Sequence, residues 1–172
     1  MLLKESIDID LYKFITEGTF DCIKIGQNKE WILNNFPDPD YQDDMGHDCY
    51  IWSYGNLEFH FEGDELFLIW CDNFIQLDAG KHINLQPWVF QDLHKEDISL
   101  TKFINLLNAD KISHIIYHDH KIQNAIVRIL KSNAEIYFDY PVEKEYEAVS
   151  GDDFYLVGFG LSRESNRLKF LP

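Results

Sequence analysis

The stretch "YGNLEFHFEGDELFLIWCD", residues 54–72, decides the fold of this chain. Leu57, Phe59 and Phe61 alternate with Glu58, His60 and Glu62, the period-two pattern of a strand with one buried face and one wet face. "EGDE" then supplies Gly63 and Asp64 for a tight turn, and "ELFLIWCD" is the returning strand. With "CYIWSY" before it, the segment predicts an antiparallel hairpin plus a third strand. Extended, Glu58, His60 and Glu62 share one side at spacings of roughly 7 Å. Such a row can tune a histidine for proton transfer, yet a solvated strand face shows the same residues. No oriented nucleophile accompanies it, so the row reads as the solvent or partner side of the sheet.

Working outward, residues 8–17 have helical spacing, with Asp8 or Ser6 as cap and Gly18 as terminator. "FDCIKIG" predicts a strand or extended connection. "QNKEWILNNF" predicts a short helix that "PDP" stops, and 37–48 reads as a loop. Residues 73–98 are less regular, and "NLQPWVFQDL" within them is open to a strand, a short helix or a connecting segment. "SLTKFINLLNA" predicts a second-half helix capped by Ser99 or Thr101. "HIIYHDHKIQNAIVRIL" predicts a hairpin turning near His118–Lys121, followed by strands in "NAEIYFDY" and "DDFYLVGFGLS".

The second half thus repeats the first. "NLEFHF" at 56–61 and "NAEIYF" at 133–138 share Asn, Glu and Phe at a constant offset of 77. The expectation is a single α+β domain over 1–172 with an antiparallel sheet and helices packed on one face. Two tandem helix-plus-hairpin units, about 8–72 and 99–162, are joined by 73–98.

Thirty acidic residues against fifteen basic ones give a formal charge of −15. That excess repels nucleic acid and anionic membrane, and it suits a cationic partner or plain solubility. The amino terminus lacks the apolar run and cleavage site of a secretory signal, and no apolar stretch approaches the ~20 residues of a membrane helix. Cys22, Cys49 and Cys71 have no CxxC spacing and suit reduced thiols, so a cytoplasmic location is expected.

Metal and catalytic motifs are thin. His118 and His120 flank an aspartate in "HDH" and share a face if extended; they are the best candidate zinc or iron ligands, and a small metal-dependent enzyme built on them is the alternative function. No serine lies in a G-x-S-x-G elbow. Gly158 and Gly160 in "LVGFGLS" lack the lysine of a phosphate loop and mark a bulge or a close backbone approach. No cofactor is expected.

The acidic loops carry more. "DPDYQDDMGHD" holds Asp38, Asp40, Asp43, Asp44 and Asp48 with Tyr41 and Met45 interleaved. "EKEYEAVSGDD" holds Glu143, Glu145, Glu147, Asp152 and Asp153 with Tyr146 interleaved. One reading is two solvated loops. The other is a pair of anionic, tyrosine-bearing fingers that steer and seat a basic protein surface.

About fifty residues resemble a known pattern: Gly26, Lys29, Glu30, Ile32, Phe36 and Pro37, then Trp52, Tyr54, Gly55, Leu57, Phe59 and Phe61, then Leu66 and Ile69. Variants of it occur in beta-lactamase-inhibitor-protein-like and small outer-membrane-assembly lipoprotein folds. This stretch resembles more closely still small cytoplasmic proteins of bacterial polymorphic toxin loci, of the immunity type or uncharacterised. One departure is Phe36, where the pattern has glycine before the proline. The resemblance implies a fold and a non-enzymatic role: occlusion of a cognate basic toxin, such as a nuclease.

Overall fold

The structure is a computed structural model that describes residues 6–86, 98–119, 124–140 and 150–163. In chain order the elements are β1 (Ile7–Asp10), α1 (Leu11–Glu17), α2 (Lys29–Asn35), β2 (Tyr41–Gly46), β3 (Cys49–Tyr54), β4 (Leu57–Glu62), β5 (Glu65–Cys71) and β6 (Ile83–Gln86). They continue with α3 (Leu100–Ala109), β7 (His114–Asp119), β8 (Asn124–Ile129), β9 (Ala134–Asp139) and β10 (Tyr155–Ser162).

Eight strands form one antiparallel sheet in the order β2-β3-β4-β5-β10-β9-β8-β7. Helices α1 and α2 precede one four-strand meander, β2–β5, and α3 precedes the other, β7–β10; the two meanders meet through their last strands, β5 and β10. The recurring hexamer falls on equivalent elements, because β4 and β9 have the same length and begin 77 residues apart. The protein is α+β, with its helices packed on one face of this sheet. Phe14 of α1 meets Phe159 of β10 with ring centroids 5.5 Å apart, and Phe103 of α3 meets Phe138 of β9 at 5.5 Å. On the β4 side of Phe14 lies an aromatic cluster in which Phe20 touches Phe14, Phe36 and Phe59 edge-on or tilted. Burying one such ring stabilises by about 1.5–3 kcal/mol, so this face supplies the main driving force for the sheet.

Two local expectations need correction. The first helix begins at Leu11, where Asp10 accepts from the Lys13 amide at 3.1 Å; neither Asp8 nor Ser6 is the cap. Residues 7–10 are drawn instead into a parallel pair with β6, which buries Ile9 and Ile83. Within 73–98 the pairing makes Ile83–Gln86 a strand, one of the alternatives left open at the start of "NLQPWVFQDL". Lastly, 37–48 is no plain loop, since Tyr41–Gly46 is the edge strand β2. Phe36, at the departure from the resembled pattern, is extended (φ −127°) and buried, so no left-handed residue is needed before Pro37. Among the described residues no helix is long and apolar enough to cross a membrane.

Candidate functional site

The first acidic segment splits into an inner and an outer part. Asp40 turns inward: its Oδ2 accepts the Gly55 amide at 3.0 Å, and its Oδ1 lies 4.0 Å from Lys81 Nζ. Asp38 precedes it, next to the buried Tyr54 ring, whose hydroxyl donates to the Pro37 carbonyl at 3.0 Å. Burial, then the charges of Asp38 and Asp40, push the Tyr54 phenol far above its ordinary range.

The outer part is the β2–β3 hairpin. His47 and Asp48 both have positive φ (54° and 61°), as a tight turn with matching twist requires. Every residue of β2 is exposed, and the strand forms one edge of the sheet. Tyr41 is 63% and Met45 57% exposed, with Asp43, Asp44 and Asp48 around them. Asp44 Oδ1 accepts the Gly46 amide at 2.9 Å. The Asp44 charge, then partial burial and the charges of Asp48 and Asp64, raise the Tyr50 phenol above its usual pKa.

The second acidic segment is only partly described. Glu143, Glu145, Tyr146 and Glu147 lie outside the described residues. Asp152 is exposed, and Asp153 closes a turn by accepting the Ser150 amide at 2.9 Å and hydroxyl at 3.1 Å. This turn leads into β10, four strands from β2, so the sheet separates the two by roughly 19 Å. Asp152 and Asp153 therefore do not join the hairpin in one patch.

His118 lies within β7 and not in a turn. It pairs with Ala125 on the helix-covered side, its ring 5.9 Å from that of Phe154. His120 is outside the described residues. Among those described, no group of three or more His, Cys, Asp or Glu side chains is placed to hold a metal ion.

The opposite face of the sheet, helix-free among the described residues, carries a depression. Register aligns Glu58, Trp70, Gly160, Glu135 and Arg128 in one row across β4, β5, β10, β9 and β8. A depression of about 180 Å³ opens here, between Trp70, Glu135, Tyr137 and Gly160, with His60, Leu68 and Ser162 on its rim. Trp70 and Tyr137 meet edge-on at 5.0 Å. Tyr137 donates to Glu135 Oε2 at 2.6 Å, and His60 Nε2 bonds Glu58 Oε2 at 2.7 Å. In the sequence its traces were the Glu58–His60 row, read there as a wet strand face, and the pair of glycines. Gly158 sits at a register shift and Gly160 lies under the Trp70 ring.

No protein-family model matches the chain, and no curated protein matches it. Among solved structures it is similar to an extracellular protein containing an SCP domain from Bacillus anthracis str. Ames, at 14% identity and a TM-score of 0.36. That alignment covers 84% of this chain, which spans 45% of the other's length.

Proposed function

We propose that the protein is a non-enzymatic binding module of the immunity type, which neutralises a basic toxin such as a nuclease by covering its active surface. One observation carries the reading: the fully exposed edge strand β2 presents Asp43, Asp44 and the neighbouring Asp48 together with exposed Tyr41 and Met45. An edge strand offers unpaired backbone groups to a partner, and the carboxylates stand where a nuclease would meet phosphates. The overall charge of −15 steers a cationic surface toward it. Tyrosine and methionine then supply the apolar anchor that slows release. The reading implies action inside the cytoplasm, next to the toxin's target.

The test is binding to the product of the adjacent gene, followed by calorimetry at two salt concentrations. A Kd that weakens steeply with salt, and weakens again in Asp43→Asn/Asp44→Asn/Asp48→Asn, supports the proposal. A neighbouring product that does not bind, or binds the triple variant equally well, overturns it.

A further inference from the structure

The depression on the helix-free face has a buried carboxylate in its wall. Glu135 is 6% exposed. Its Oε2 accepts the Tyr137 hydroxyl, while Oε1 is buried and has no hydrogen-bond partner among the described residues. Folded proteins rarely leave such an oxygen unmet, and each such atom calls for an explanation: strain, a functional role, or a bound water or ion. Arg128 faces Glu135 across β8 and β9 but donates to Asn133 Oδ1 at 2.9 Å. The carboxylate is thus not spent on its cross-strand neighbour.

The remaining walls have the chemistry of a cation site. Trp70 spans Gly160 to reach Tyr137, so two π systems border the space. Glu58 stands on the same row at the β4 side, held by His60. Aromatic faces attract cations, and they attract a flat, weakly hydrated guanidinium better than a compact ammonium. Oε1 is out of reach of bulk water, so its charge is weakly screened for anything seated beside it. At about 180 Å³ the space suits one planar group and its stem, not a drug-sized molecule.

We infer that this depression receives a guanidinium group, and that an arginine side chain of the partner supplies it. The source of the guanidinium rests on the proposed binding role; its chemistry does not. The depression and the acidic hairpin belong to the same sheet, so a partner gripping the β2 edge could extend an arginine over the helix-free face.

The test follows the indole N–H signal of Trp70, assigned with Trp70→Phe, in the labelled full-length protein. The probes are methylguanidinium, agmatine, and capped Ala-Arg-Ala and Ala-citrulline-Ala peptides. Saturable shifts with methylguanidinium and the arginine peptide are expected, at least tenfold weaker binding of the isosteric but uncharged citrulline peptide, and a similar loss in Glu135→Gln. No saturable shift, or equal binding of the two peptides, overturns the site. The peptide comparison needs no variant, so it decides the matter even if Glu135→Gln fails to fold. Agmatine binding far more tightly than the capped arginine peptide overturns the side-chain source and assigns the site to a free small molecule. Capture of the partner through Asp43 and Asp44 with no response to methylguanidinium would sink the depression alone. The converse would sink the proposed function alone.

Discussion

The indole of Trp70 lies so close over Gly160 that a Cβ at 160 would stand 2.8 Å from its Cε3. The two residues pair across β5 and β10, the seam where the two meanders join. Gly160→Ala is expected to push the ring off Tyr137 and to cost about 1–3 kcal/mol, the usual penalty for overpacking. At Gly158 the obstacle is backbone, since a Cβ would stand 2.4 Å from the Cys71 carbonyl oxygen. A ring edge can swing aside, but a paired strand cannot. Gly158→Ala should therefore destabilise more than Gly160→Ala in urea melts, and the reverse order would refute this account of the seam.

Tyr54 makes stability fall in alkali. Its folded pKa is raised by burial and by Asp38 and Asp40, so the native state holds the phenolic proton after the unfolded chain has lost it. The contribution is intact below about pH 10 and is lost above it, at up to about 1.4 kcal/mol per pH unit. Tyr54→Phe should flatten this part of the pH–stability curve. It should also cost about 1 kcal/mol at neutral pH, through the bond to the Pro37 carbonyl. Melting curves between pH 8 and 11 on both proteins check the sign.

Asn56 pins the segment after β5 to the β3–β4 turn. Its amide nitrogen donates to the carbonyls of Asn73 (3.2 Å) and Gln76 (2.9 Å), and its oxygen accepts the Asp78 amide at 2.8 Å. Asn56→Ala should cost about 2–3 kcal/mol if each bond contributes about 1 kcal/mol net. It should also open 73–80 to limited proteolysis before the rest of the chain. Asn133, its counterpart at offset 77, accepts from Arg128 instead, so Asn133→Ala should leave 73–80 protected.

In the acidic hairpin the proposed binding role and stability are separable. Asn replaces Asp43, Asp44 and Asp48 without loss of backbone bonds, and Asn tolerates the positive φ at position 48. The triple variant should melt within about 0.5 kcal/mol of wild type, as exposed substitutions do. Asp40→Ala is expected to behave differently, losing about 1–2 kcal/mol because the Gly55 amide is left without its acceptor. If the triple variant unfolds as readily as Asp40→Ala, the split into inner and outer carboxylates is wrong.

Hairpin β4–β5 was legible because Leu57, Phe59 and Phe61 bury one face and leave the other wet, and period two follows directly from strand geometry. The match of Asn56, Glu58 and Phe61 with Asn133, Glu135 and Phe138 pointed to equivalent strands for the same reason. β2 was not legible: an edge strand exposed on both faces has no apolar period to read. Nor was β1, since Ile7–Asp10 looks like a helix start until β6, some seventy residues later, pairs with it.

By itself, then, the sequence determined the local elements whose burial alternates, the acidic charge, and the recurring hexamer. Only the tertiary structure decided which carboxylates are exposed and which are enclosed. Glu58 and Glu135 occupy matched positions in the two hexamers, yet Glu58 is half exposed beside His60 while Glu135 is buried against Tyr137. The difference comes from where each strand lies in the sheet. β9 runs beside β10, whose glycines let Trp70 lie across the face, and β4 has no such neighbour. Strand order and register are set by contacts between residues far apart in the chain, so no local pattern encodes them.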